Sequence, residues 1–332
     1  MKNIFIFCTV VFLFTEISGQ CLPFGFTITT QAQITNFATD YPGCTTILGD
    51  VLISSGNFDT LEGLEQITTI EGHLIILNTE FISSLTGLDN LTTIGKQLEI
   101  LQNASLTSLV GLGALTTVTG NSDFNSRIAN NNALTSLDGL GNLTFMGGGL
   151  HVDANSALSN LTALNNLTSL GGNGADIDIR NNDVLTSLAG IQNINPTSFE
   201  NLTISGNNLL SMCEVEAICN YLSIATNPAV IATNAAGCNS RAQVEAACPP
   251  VGIGNLNNTS RKLSICPNPT TSYMNINAPQ EERLEIYNFM GNLIHQEFLS
   301  VGINEINLPQ LKDGVYFFRT ESGLVSKVIV EN

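Results

Sequence analysis

The stretch "LEILQNASLTSLVGL", residues 98–112, decides how this chain folds. Leu98 and Ile100 are apolar around a charged Glu99, the alternation of a strand with one face turned inward. Asn103 follows, then the leucine pair Leu109/Leu112 and a glycine, Gly111, between them. The same frame returns in "LIILNTEFISSLTGL" from 74, "SRIANNNALTSLDGL" from 126, "LHVDANSALSNLTAL" from 150, "IDIRNNDVLTSLAGI" from 177 and "LTISGNNLL" from 202, with a shorter copy from Val51. Successive starts lie 23, 24, 28, 24, 27 and 25 residues apart. Self-similarity at this period means a solenoid.

Stacking follows from the frame. Ile76, Ile100, Ile128, Val152, Ile179 and Ile204 hold the third position and would pile up inside. Asn103, Asn131, Asn155, Asn182 and Asn207 hold the sixth, where one amide can bond the buried backbone of the neighbouring coil. Leu109/Leu112 and Leu137/Leu140 fill the next side, and Gly87, Gly111, Gly139 and Gly190 permit tight turns. The outward second positions read Ile75, Glu99, Arg127, His151, Asp178 and Thr203; the fourth read Leu77, Leu101, Ala129, Asp153, Arg180 and Ser205. With strands about 4.8 Å apart, Glu99, Arg127, His151, Asp153, Asp178 and Arg180 form one mixed patch, the candidate ligand surface. The plainer reading is cross-strand pairing of Glu99 with Arg127 and of Asp153 with Arg180. Insertions near 119–126, 171–176 and 193–201 are candidate binding edges, or simply tolerated loop length.

The N-terminus has Lys2, an apolar run from Ile4 to Phe14, and small residues Ser18 and Gly19, which together predict a secretory signal peptide over 1–19. Gln20 before Cys21 argues against a lipoprotein signal. No later apolar run is long enough to span a bilayer, so the mature chain is expected not to cross one. Export permits disulfides. Cys21 is expected to pair with Cys44. Cys213, Cys219, Cys238 and Cys248 allow three pairings, of which 213–238 with 219–248 is preferred; Cys266 is left over and expected to be a packed, unreactive thiol. Three capping pairs predict helical caps over the open ends: Thr30/Gln33, Ser211/Glu214 and Ser240/Gln243.

The N-terminal Cys with "YPGCT" and "GDVLI", the "LTSLxGLxxLT" coils and the cysteine-bearing helical end resemble the receptor L domain over about 20–249. The resemblance implies a right-handed β-helix used in receptors for ligand binding. The ligand-contact residues of those receptors have no counterpart motif here. After a Pro-, Gly- and Asn-rich linker at 250–262, the chain changes grammar. Short alternating segments and turn residues predict a small antiparallel β-sandwich. "PNPTT", "IYNFMGNLIHQ", "INLPQLKDGVYFFR" and "KVIV" resemble, over 263–332, the C-terminal sorting domain of type IX secretion cargo, with Pro267, Asn268, Pro269, Gly291, Gly314, Tyr316 and Lys327 as its motif residues. That resemblance implies the type IX machinery as partner, a Gram-negative, Bacteroidota-like host, and passage through the periplasm to the medium or outer cell surface. The fold class expected is thus mainly β: a leucine-rich-repeat-like solenoid with helical caps, then a sandwich.

Between 20 and 250 four Lys/Arg face 19 Asp/Glu, a charge of −15 that repels nucleic acid and anionic membranes. No nucleotide loop, hydrolase elbow or zinc-protease motif occurs, and His73, His151 and His295 are far apart in sequence. Asp176/Asp178 has the look of a glycosidase dyad, but alternate residues on an outward strand face are ordinarily a solvated pair. "DIDIRNND" lacks the spacing of a calcium loop. "NLT" at 90, 142, 160, 166 and 201 matches glycosylation acceptors and reads more simply as repeat consensus. No catalytic residue, metal or cofactor is expected. The function expected is a secreted or surface-displayed, non-enzymatic module for an extracellular protein or glycan. The alternatives are an envelope spacer without ligand, or an unrecognised hydrolase.

Overall fold

The computed structural model describes residues 19–120, 125–171, 174–249, 263–271, 273–278, 280–308, 311–321 and 325–331. Of residues 1–19, expected as a signal peptide, only Gly19 is among them, and the expected linker, 250–262, lies outside them. The chain divides into two compact units, 1–248 and 249–332.

The first unit is a β-solenoid. Nine strands stack in parallel in chain order: Phe26–Ile28, Val51–Ser54, Leu74–Leu77, Leu98–Leu101, Ser126–Ala129, Gly149–Asp153, Asp176–Arg180, Asn201–Ser205 and Ala229–Ala232. The first and last lie outside the repeats counted from sequence. A second parallel sheet is built from two-residue strands, Gln20–Cys21, Thr46–Ile47, Thr69–Ile70, Thr93–Ile94, Thr117–Val118 and Phe145–Met146. Register holds the third-position file together, Ile76 on Ile100, Ile100 on Ile128, Ile128 on Val152 and onward to Ile231. Behind it, leucine files such as Leu85, Leu109, Leu137 and Leu161 are fully buried. Each such side chain contributes roughly 1.5–3 kcal/mol of apolar burial.

Every strand must then turn inward. Asn78, Gln102, Asn130, Ala154 and Asn181 take left-handed backbone (φ 53–59°) at that corner, and the ladder position comes next, held by Thr79 in the first of these coils and by Asn103, Asn131, Asn155 and Asn182 in the others. The side chain of each ladder Asn makes two bonds to the backbone of the coil before it. The amides of Asn103, Asn131, Asn155 and Asn182 donate to Ile76, Ile100, Ile128 and Val152 carbonyls at 2.8–3.0 Å. Their Oδ1 atoms accept the N–H of the residue one coil back, Thr79, Asn103, Asn131 and Asn155, at 3.0–3.1 Å. The file runs past Asn207 to Asn234 and ends where Asn239 Oδ1 accepts from Asn234 N–H. One buried carbonyl and one buried N–H per coil are thereby paired. The glycine of the next corner is required for a different reason. Gly111 has φ +113°, and a Cβ there would lie 1.9 Å from Leu85 O of the preceding coil.

The outer corner is laced in the same manner. Thr92, Thr116, Thr144 and Thr168 hydroxyls each donate to the threonine carbonyl one coil back. Asn90, Asn142 and Asn166, three of the "NLT" asparagines, donate their amides to Glu65, Gly113 and Gly141 carbonyls. Repeat consensus at these positions therefore has a structural cause.

The caps form with one correction. Thr30 and Gln33 make a capping box before the helix Gln31–Thr35, and Ser240 caps Arg241–Ala247. Ser211 and Glu214 do not make one. Ser211 and Met212 N–H groups donate to Thr186 O and continue the coil, so the helix begins later, at Glu216–Leu222 with Val215 as N-cap. Disulfides join Cys21 to Cys44, Cys213 to Cys238 and Cys219 to Cys248.

The second unit has a three-stranded antiparallel sheet, Ser264–Cys266, Tyr273–Ala278 and Gly302–Asn307, and a four-stranded one, Leu293–Leu299, Glu282–Asn288, Gly314–Thr320 and Val325–Val330. Its core includes Met274, Ile276, Leu284, Ile286, Phe318 and Val328. Asn268 ties the entry to the exit: its amide donates to Lys327 O and its Oδ1 accepts from Ile329 N–H. Gly291 turns with φ +80°, Gly314 opens a strand, and Tyr316 Oη donates to Lys312 O. Cys266 is exposed, not packed, because it lies beside Pro267, Asn268 and Pro269 where the chain leaves its strand on the surface.

Candidate functional site

The register that stacks Ile100, Ile128 and Val152 also fixes what stands outside. Arg127 sits opposite Glu99 on one side and His151 on the other; His151 is opposite Asp178, and Asp153 opposite Arg180. The six residues singled out from sequence, on four consecutive strands, line one concavity of about 380 Å³. Gln97 and Asn125, which precede their strands and fall outside the alternating frame, complete it. The patch is bounded: Ile75, Leu77 and Leu101 flank it on the N-terminal side, and Thr203 and Ser205 on the other. Of the four Lys/Arg in the solenoid, two line this concavity. Lys96 pairs with Asp50 and Arg241 binds cap carbonyls.

The charges pair along a strand where pairing across strands was expected. Arg180 Nε donates to Asp178 Oδ1 at 2.5 Å, two residues away on the same face. Asp153 Oδ1 instead accepts from Asn181 Nδ2 at 3.0 Å. Alternate residues of one strand are about 6.6 Å apart, within reach of an arginine. Among the described residues neither Glu99 nor Arg127 forms an ion pair.

His151 lies at the centre. Its Nδ1 is 3.9 Å from Asp178 Oδ2, beyond a hydrogen bond. Burial pushes its pKa down, and Arg127 and Arg180 add to that, against the upward pull of Asp178 and Asp176. The imidazole is accordingly neutral at pH 7. His151 Nε2 and Asn125 Oδ1 are both sealed from solvent without a hydrogen-bond partner among the described residues. Buried polar atoms are rarely left so. The site thus offers donors at Arg127 and acceptors at Glu99 and Asp153, with an imidazole between them.

The two carboxylates that have the spacing of a dyad, Asp176 and Asp178, each have a partner. Asp178 is held by Arg180, and Asp176 Oδ1 accepts from Asn201 Nδ2 at 2.7 Å. Among the described residues no cluster of three or more His, Cys, Asp or Glu is placed to hold a metal ion. The insertion at 193–201 is not a free edge. Phe199 is buried and stacks on Tyr221 at 4.5 Å, while Tyr221 Oη lies 2.7 Å from Glu200 O and 2.8 Å from Pro228 O. Of the other two insertions, residues 121–124 and 172–173 lie outside the described residues. No helix among those residues is long and apolar enough to cross a membrane.

Comparison with protein families places two of them on this chain. Residues 43–135 match the receptor L domain, and residues 264–331 match the secretion system C-terminal sorting domain. Searches of curated proteins and of solved structures gave no match. The sorting tail marks the chain for secretion or display at the outer surface of Bacteroidota-type bacteria by the type IX machinery.

Proposed function

We propose that this receptor L-type solenoid, exported by its sorting tail, is a non-enzymatic binding module that holds an extracellular protein or glycan on its strand face. The observation that carries the reading is the concavity over strands 98–101 to 176–180. It gathers half the solenoid's cations and leaves two buried polar atoms without partners among the described residues. A fold needs neither. A ligand in the concavity would meet Arg127 and Glu99, charges without an ion-pair partner among the described residues, in a partly sheltered site where hydrogen bonds gain strength. Alternating donors and acceptors suit a ligand rich in hydroxyl or amide groups. The −15 charge of the surrounding domain disfavours polyanions.

The test is a binding array with the mature, oxidised chain against matrix proteins, bacterial surface proteins and diverse glycans. The expected result is a saturable hit lost on combined Arg127→Ala, His151→Ala and Arg180→Ala substitution, in a variant whose urea midpoint shows it folded. A hit indifferent to the triple change would remove the strand face from consideration. Turnover in a glycoside and peptide substrate panel would overturn the non-enzymatic part.

A further inference from the structure

The second unit leaves one of its sides unfinished. Leu293–Leu299 is the outer strand of the four-stranded sheet, and Gly302–Asn307 is an outer strand of the three-stranded one. The chain between Phe289 and Ile303 forms this side, and seven of the 17 large apolar side chains exposed among the described residues fall within it. Phe289, Met290, Phe298 and Ile303 are 64–76% exposed. Within Leu293–Leu299 only Leu299 is buried, so side chains on both faces of the strand meet solvent. Proteins ordinarily blunt such an edge with lysine, proline or a covering element. Here the segment carries no proline and a single unambiguous charge, Glu297, which faces His295 at 3.6 Å. An apolar, nearly uncharged open edge on a chain of net charge −17 is a surface awaiting a partner.

We propose that this edge, centred on Phe298 and Ile303, is where the export apparatus reads the tail, by adding an extended apolar segment of its own alongside Leu293–Leu299. Strand addition supplies backbone hydrogen bonds as affinity, and the exposed alternate side chains supply selectivity. The occupant is argued from two facts. The patch lies on the very unit that matches a sorting domain. The unit itself is nearly neutral, with six Lys/Arg against eight Asp/Glu over 249–332, which suits an apolar segment of a partner.

The experiment expresses the full chain in a bacterium with type IX secretion. Phe298→Glu with Ile303→Glu is compared with the wild type and with Lys312→Glu, a surface charge change elsewhere on the unit. Cell fractions give the exported share, and melting of the purified chains reports folding. The expected result is an export loss of about tenfold or more for the double variant alone, as when central anchors of an interface are replaced. A photo-crosslinker at position 298 of the otherwise native chain should join it to an identified component of the export apparatus. Normal export of a folded double variant overturns the proposal. So does a crosslink only to a second copy of the chain, which would make the edge a self-association surface. If the double variant does not fold, Ile303→Glu alone and the crosslink decide by the same two criteria.

Discussion

Replacing Asn155 by alanine tests the solenoid where its energetics are most explicit. Asn155 is fully buried. Its Oδ1 accepts from Asn131 N–H at 3.1 Å, and its amide donates to Ile128 O at 2.8 Å. Alanine leaves the Asn131 N–H buried with no partner, at about 1–3 kcal/mol, and strips Ile128 O of its side-chain donor, at about 1 kcal/mol. Loss of the packed amide adds a small cavity. The expected destabilisation is roughly 3–5 kcal/mol, a large share of the 5–15 kcal/mol typical of a domain. The control is Asn142→Ala, which removes one exposed bond to Gly113 O and should cost about 1 kcal/mol or less. Urea unfolding followed by circular dichroism gives the two midpoints, and hydrogen exchange gives the location. The Asn131 amide should lose protection in the Asn155 variant, while coils distant along the stack change little, since each coil contacts only its neighbours. Equal effects of the two substitutions would refute the argument that the ladder bonds, and not general coil packing, hold this corner.

Three further outcomes follow from other contacts. Gly111→Ala forces a Cβ to 1.9 Å from Leu85 O at φ +113° and should cost roughly 3 kcal/mol or more; a thermal melt within a degree or two of wild type would contradict it. Removing the Cys219–Cys248 bridge, which closes 29 residues of chain, should cost roughly 3–4 kcal/mol by loop entropy, read as a fall in urea midpoint of the double alanine variant. His151 has a folded pKa below its ordinary value of about 6.5, with burial as the main cause. The unfolded chain then binds a proton that the folded one refuses, so this contribution is complete above pH 6.5 and is lost as pH falls toward the folded pKa. Unfolding midpoints from pH 7.5 to 5.5 should fall less steeply for His151→Gln than for wild type, and parallel curves would refute the assignment.

Much of this was legible because solenoid positions repeat. Ile76, Ile100 and Ile128 declare a buried file by recurring in one frame, and that register alone brought Glu99, Arg127, His151, Asp153, Asp178 and Arg180 to one surface. The last strand, Ala229–Ala232, carried the same marks, with Ile231 at the third position and Asn234 at the sixth, but small residues and flanking cysteines disguised it. The left-handed corners gave no signal, since Gln102, Ala154 and Asn181 share a backbone conformation without sharing chemistry. Partner choice in the site was equally hidden. Arg180 can reach Asp153 or Asp178, and sequence spacing does not rank two partners within one side chain's reach. Gln97 and Asn125 entered the concavity from the approach to their strands, where alternation no longer predicts direction.

The Asn file also sets the unit in which this protein can change length. From Asn103 onward each coil shows the one before it the same two contacts: an amide aimed at a carbonyl and an oxygen accepting an N–H. Excising residues 131–154 would join Asn130 to Asn155 and hand Asn103 the acceptor it now takes from Asn131. Excising half of that would leave Asn103 facing whichever side chain happened to arrive. Along the axis, lineages of such a protein can therefore lengthen or shorten only by whole coils, while between the corners single residues come and go, as the 23- to 28-residue spacings record.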